Sequence, residues 1–320
     1  MSKPICVRLP NWVGDACMAL PALYRLREAS YPLILVGRPW ARDLLAALEP
    51  AQFIAIEGPL REDIARVRGA LGGVRHDGVC FPDSLSSAAL FRLAGVRTGG
   101  YRDDGRSLLL KWPVRKPAGQ VHAVESYFHL AEAVLAAWGV SSTGGPGPDL
   151  RLPVTSGHVD TARTMLTRAG LMASRFVLLS PTATGLHRGR VKSWPHYEAL
   201  AQHLRARGLT VAVCPPPNEV DVARANAPSA QILPSLPLGA YAALTREAAL
   251  VICNDSGTSH VAAAAGAPQL TLFGVTQPWR TRPWSPTAHW IGDDTGWPDL
   301  DTVVKRVDTL LDRAPASALA

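Results

Sequence analysis

The segment Cys253-Asn254-Asp255-Ser256-Gly257-Thr258-Ser259-His260 concentrates groups that can handle an anion. It follows an apolar run, Ala248 to Cys253, that reads as a buried strand, and it opens a small-residue helix that runs toward Gly266-Ala267-Pro268. The first N–H groups of a helix lack partners inside it, and the positive end of the helix dipole points to the same place. A strand–turn–helix junction of this kind suits a phosphate. The carboxylate of Asp255, the hydroxyl of Ser256 and the flexibility of Gly257 suggest a ligand that carries hydroxyl groups as well. On these residues alone, an N-cap with a tight turn is an equally good reading. His260, a short way into the helix, is either a satisfied core group or reaches back over the turn to a phosphate.

Three other loops carry candidate chemistry. Pro10-Asn11-Trp12-Val13-Gly14-Asp15 follows the strand-like Ile5–Leu9. It holds neither G-x-G-x-x-G nor G-K-[ST], so it is not a dinucleotide fingerprint or a Walker A loop. It offers one carboxylate, Asp15, beside a glycine at a helix start: an N-cap, or a general base within reach of a substrate proton. The loop after Ser180 runs from Pro181 to Pro195 and holds the hydroxyls of Thr182 and Thr184 with the cations Arg188, Arg190 and Lys192. Cations on a loop that opens a helix suit a diphosphate leaving group, and Trp194 would anchor the loop and fix where Lys192 points. Glu219, after Pro215-Pro216-Pro217-Asn218, is either an acceptor for ribose hydroxyls or a first-turn helix acid. A long aromatic and basic loop, Gly274 to Trp284, follows Phe273.

The elements that must position these loops alternate. Strands are expected at Ile5–Leu9, Leu33–Val36, Phe53–Ile56 and Asp77–Phe81, with helical segments after each and an amphipathic helix from His122 to Trp138. Ser141 to Pro148 has too much Gly and Pro for a helix or central strand and reads as a linker. The pattern then restarts, with strands at Phe176–Ser180, Leu209–Cys214, Gln231–Leu233, Leu250–Cys253 and Gln269–Phe273, helices between them, one of them from about Pro195 to Arg207, and a last amphipathic helix at Asp299–Leu311. This is an α/β chain of two parallel-sheet domains, 1–145 and 150–299, facing each other across a cleft. Ligands of such sheets bind at the carboxyl ends of strands, where the loops above fall.

With 320 residues, 47% hydrophobic and 18% charged, the chain has the bulk for two globular domains. No stretch approaches the roughly 18 uninterrupted apolar residues of a membrane helix. The N-terminus lacks the apolar core of a secretory signal, and five scattered cysteines fit a reducing cytoplasm better than disulfides or zinc. The net charge of +7 implies an anionic partner. Its cations gather in two loops, Arg97 to Lys116 and Arg188 to Lys192. No nucleic-acid motif accompanies them, which argues against a nucleic-acid binder.

These pieces, in this order, resemble the bacterial heptosyltransferases of glycosyltransferase family 9. The resemblance rests on Asn11-Trp12-Val13-Gly14-Asp15 with Met18 and Leu20-Pro21-Ala22-Leu23, on Lys192 with Trp194-Pro195, and on Asn254-Asp255-Ser256-Gly257 with His260, Ala262-Ala263, Gly266-Ala267-Pro268 and Leu272-Phe273-Gly274. Trp12 before Val13-Gly14-Asp15 points to the heptosyltransferase II group. The resemblance implies a GT-B fold of two Rossmann-like domains, the first for the acceptor and the second for an ADP-sugar, with a last helix at about 300–314 that packs back on the first. It implies Asp15 as catalytic base and Lys192 as the group that neutralises the diphosphate. Thr182 and Thr184 would lie near it, Glu219 at the ribose, Asp255 on the sugar hydroxyls, and Ser256, Gly257, Thr258 and His260 at phosphate. Asn11, Trp12, Arg97, Arg102 and Lys111 would meet the acceptor.

The implied reaction is an inverting transfer of heptose from ADP-heptose to the phosphorylated lipid A–core acceptor. It would be carried out by a cytoplasmic monomer peripheral on the inner membrane. Protein cations would make metals and cofactors unnecessary, and we see no Asp-x-Asp pair suited to Mg²⁺. Another nucleotide sugar, or binding without turnover, are the alternatives; the presence of both Asp15 and Lys192 argues against the latter.

Overall fold

The computed structural model describes residues 3–142, 144–183, 185–187 and 189–312, with only the backbone of Leu186 and His187. The chain divides into two compact units, Met1–Gly147 and Pro148–Ala320.

The first unit contains the strands β1 (Ile5–Arg8), β2 (Leu33–Gly37), β3 (Gln52–Ala55), β4 (His76–Cys80), β5 (Val96–Tyr101) and β6 (Trp112–Val114). Its helices are α1 (Val13–Met18), α2 (Leu20–Glu28), α3 (Trp40–Leu44), α4 (Leu60–Ala70), α5 (Leu85–Leu93) and α6 (Ala123–Ala137). All strands are parallel, in the order β3-β2-β1-β4-β5-β6. Every residue of β1 and β2 is buried, as expected of strands covered on both faces. Helix α6 carries a capping box in which His122 accepts from the helix start and Glu125 accepts from the His122 N–H.

The second unit holds β7 (Phe176–Ser180), a two-residue antiparallel hairpin of β8 (Leu186–His187) and β9 (Arg190–Val191), then β10 (Thr210–Val213), β11 (Gln231–Ile232), β12 (Leu250–Asn254), β13 (Gln269–Leu272) and β14 (Ala288–Ile291). Its helices are α7 (Ser156–Ala169), α8 (Tyr197–Ala206), α9 (Val220–Asn226), α10 (Leu238–Glu247), α11 (Gly257–Ala265), α12 (Pro278–Thr281) and α13 (Leu300–Asp312). The main sheet runs β11-β10-β7-β12-β13-β14. Numbered within its own unit, this is the same order as in the first sheet, that of a Rossmann domain. The direction of strand order reverses between β1 and β4 in the first unit and between β7 and β12 in the second.

Two expectations change, on the Arg97–Lys116 stretch and on the start of α8, and helix α13 has its apolar face in the second unit's core. Val303, Val307 and Leu311, one stripe at helical spacing, are buried in the second unit's own core beside Leu200 and Leu204 of α8. Asp308 binds His203 of α8 at 3.0 Å and Arg207, and Asp312 binds Arg207 at 2.7 Å, which holds the helix there. The basic stretch from Arg97 to Lys116 is not one loop, because it contains β5 and β6. Glycine makes β5 possible: a Cβ on Gly99 would run into Val134 of α6, so only a bare backbone lets that helix lie on the strand. The helix expected from Pro195 begins at Tyr197, with Pro195 in the preceding turn.

Candidate functional site

In the second unit, β7 and β12 are neighbours, with Ser180 opposite Cys253, so their loops leave the sheet side by side at the switch point. Asn254, at the end of β12 and fully buried, ties them together. Its Oδ1 accepts from the Trp194 N–H at 2.9 Å, and its Nδ2 donates to the carbonyls of Ser180 (3.3 Å) and Thr182 (3.4 Å). One side chain thus fixes both ends of the loop that carries Lys192. Ser193 Oγ and Asn226 Nδ2 both donate to the Pro181 carbonyl, and Trp194 is buried with its Nε1 donating to the Pro298 carbonyl. Lys192 is half-buried and has no carboxylate partner among the described residues. Thr182 is buried, while Thr184 and Arg188 lie outside the described residues.

The Asp255 turn is more than a cap. Ser256 is the N-cap of α11 but makes no capping bond, and its buried Oγ has no partner among the described residues. Asp255 is buried and accepts from Thr281 Oγ1 of α12 at 3.0 Å. The Nε2 of buried His260 stands 3.7 Å from Asp255 Oδ1, so His260 reaches the carboxylate itself. Ser180 Oγ donates to Thr258 Oγ1 at 3.2 Å and links β7 to the first turn of α11. The helix ends at Gly266 in the left-handed conformation, a normal glycine stop. The result is a turn that presents the first N–H groups of α11, a serine hydroxyl and a buried carboxylate. Glu219 closes a short 3-10 turn, Pro217–Glu219, and precedes α9 without capping it by its side chain.

In the first unit, Asp15 is the third residue of α1, not its cap; the cap position is Trp12, which makes no side-chain bond. Asp15 is half-buried, and Tyr127 of α6 donates its phenol to Oδ1 at 3.0 Å. Arg8, buried at the end of β1, donates to the Leu9 carbonyl and to Asn11 Oδ1, each at 2.5 Å, and so shapes the same loop from below. Burial holds its guanidinium pKa below the usual arginine range.

The expected acceptor cations divide. Arg97 is the second residue of β5, near the N-terminal end of that strand, and its guanidinium grips Asp77 of the neighbouring β4 at 2.6 and 2.9 Å. Arg106 is fully buried and 3.6 Å from Asp83, and Lys116 binds Asp83 (2.7 Å) and Asp103 (2.9 Å). Arg102 and Lys111 are exposed. The sequence offered no sign of Tyr127, Arg8 or the bracing role of Asn254. Among the described residues, no group of three or more His, Cys, Asp or Glu side chains is placed to hold a metal ion.

Known proteins match this fold over most of the chain. The family model of glycosyltransferase family 9 (heptosyltransferase) matches residues 64–305. Lipopolysaccharide heptosyltransferase 2 of Salmonella typhimurium is 29% identical over 97% of this chain and 94% of its own. Lipooligosaccharide heptosyltransferase 2 of Haemophilus influenzae is 27% identical, over 87% and 85%. The solved structure of E. coli ADP-heptose lps heptosyltransferase II covers 97% of this chain and 99% of its own at 25% identity, with a TM-score of 0.75. Two Rossmann-ordered sheets with this match define a glycosyltransferase of the GT-B class. Within that class, the chain belongs to glycosyltransferase family 9, the heptosyltransferases.

Proposed function

We propose that this enzyme moves heptose from ADP-L-glycero-D-manno-heptose to the phosphorylated inner core of lipopolysaccharide by a single inverting displacement. The observation that carries this reading is the Asn254-braced junction of the Lys192 loop with the Asp255 turn at the switch point of the second sheet. Lys192 and the N–H groups of Ser256, Gly257 and Thr258 suit a diphosphate, and Asp255 suits sugar hydroxyls.

In the reaction, Asp15 takes the proton of an acceptor hydroxyl, the hydroxyl oxygen bonds to the anomeric carbon, and the bond to ADP breaks with its electrons left on the diphosphate. Lys192 and the helix N–H groups stabilise that charge; losing one preorganised donor of this kind costs about 3–4 kcal/mol. Thr182 and Thr184 serve the diphosphate, Glu219 the ribose and His260 the Asp255 carboxylate. Asn11, Trp12, Arg102 and Lys111 serve the acceptor. Protein cations do the work that a metal would do, and no cofactor takes part. The test is product analysis with ADP-heptose and with UDP- and GDP-sugars on a lipid A–core acceptor. Transfer from ADP-heptose alone is expected; equal transfer from a UDP-sugar would overturn the donor assignment and favour another nucleotide sugar.

The acceptor would be a lipid, and the surface fits that. Leu108 (92% exposed) and Trp12 (76%) are the most exposed large hydrophobic residues described. They lie in connections that leave the C-terminal ends of β5 and β1, with Arg102 and Lys111 exposed in the same β5–β6 connection as Leu108. Apolar side chains among cations suit an anionic membrane surface, here the cytoplasmic face of the inner membrane. No helix among the described residues is long and apolar enough to cross a membrane. Leu108→Asp should weaken flotation with phosphatidylglycerol vesicles by about tenfold, with transfer to a deacylated acceptor unchanged. Undiminished flotation would count against this surface.

A further inference from the structure

We infer that Tyr127 is the positioning residue for Asp15, an inference that rests on the base assignment above. Asp15 is the third residue of the short helix α1, which has six residues and no side-chain cap. A general base must hold one orientation toward the proton that it removes, and small misplacements are costly. Tyr127 supplies that constraint from a different element, 112 residues away in sequence, through its 3.0 Å bond to Oδ1.

The phenol is itself held. Its ring packs edge-on against Phe81, with centroids 5.5 Å apart at 78°. Phe81 is buried and its N–H donates to the Arg8 carbonyl at 3.1 Å, so it is pinned to the end of β1 where the Asp15 loop starts. Helix α6 is fixed one residue earlier, where Tyr101 Oη donates to the Ser126 carbonyl at 2.5 Å and accepts from Ser126 Oγ at 3.2 Å. A rigid strand and a capped helix thus place the phenol, and the phenol places the carboxylate.

The bond also acts on charge. A donor to a carboxylate favours its ionised form, the form that can accept a proton. Cys17, on α1 itself, also feels Asp15; its thiol is pushed up by burial first and by the Asp15 charge second, so it stays neutral and adds no competing charge.

The test is Tyr127→Phe, which keeps the ring on Phe81 and removes only the hydroxyl. The expected result is a kcat lower by roughly ten- to a hundredfold, with the donor KM within about twofold and the acidic limb of kcat/KM moved to higher pH. An unchanged kcat with the acidic limb in place would overturn the proposal. Asp15→Asn, run in parallel, separates the two assignments. If Asp15→Asn still turns over, the base reading fails; if it is inactive while Tyr127→Phe behaves as wild type, only the positioning role fails. The double variant closes the cycle. With the base already gone, Tyr127→Phe should cost nothing further in residual rate, whereas an additive loss would make Tyr127 a packing residue.

Discussion

Asp15→Asn is expected to lower kcat for sugar transfer by about 10³, within the range that general bases contribute. The substitution keeps shape and keeps an oxygen for the Tyr127 phenol, but it removes the lone-pair basicity that the reaction requires. It should leave folding alone, because Asp15 is the third helical residue and does not cap α1. It should also leave ADP affinity alone, because the diphosphate groups proposed above all lie beyond Pro148. Steady-state kinetics with ADP titration by calorimetry would check this. Turnover within tenfold of wild type would remove Asp15 from the mechanism, and a parallel loss of ADP binding would show that the substitution acts through structure.

Asn254→Ala is expected to have the largest effect on stability. Asn254 is fully buried and satisfies the Trp194 N–H and the carbonyls of Ser180 and Thr182. Stranding a buried backbone donor costs about 1–3 kcal/mol, and the carbonyls and the small cavity add to that, so roughly 3–4 kcal/mol is expected. For a unit of this size that is a fall of about 6–16 °C in Tm. The same change frees both ends of the Lys192 loop, so ADP affinity should fall too. Calorimetry with and without ADP reads both. A Tm within about 2 °C of wild type would show that the loop is held by Trp194 packing alone. Asn254→Asp keeps the acceptor for Trp194 but loses the donor and buries a charge, so it should be no milder.

Buried residues explain why much of the fold was readable in advance. The strands β1, β2, β7 and β12 are covered on both faces, so each is a mainly apolar run bounded by turn residues. By contrast, β5 carries Gly99-Gly100 and β6 carries Pro113, residues that signal loops when read locally. They form strands because α6 needs the room above Gly99 and because β6 is the edge of its sheet. The C-terminal helix was also legible as a helix. An apolar stripe says that a face is buried, and only Asp308 and Asp312 meeting His203 and Arg207 say against what.

The sequence by itself determined the alternation of strand and helix, the two-unit layout, and the loops in which Asp15, Lys192 and the Asp255 turn fall. These follow from local physics: apolar runs, helix-opening turns and breaker residues act over a few positions. Tertiary structure alone decided which groups meet. The bonds from Tyr127 to Asp15, from Asn254 to the Trp194 loop and from Thr281 to Asp255 span 112, 60 and 26 residues. It also paired Arg97 with Asp77 across β4 and β5, apart from cations that are near it only in sequence. Hydrogen bonds and ion pairs depend on distance in space, and strand order, which local sequence does not encode, sets that distance.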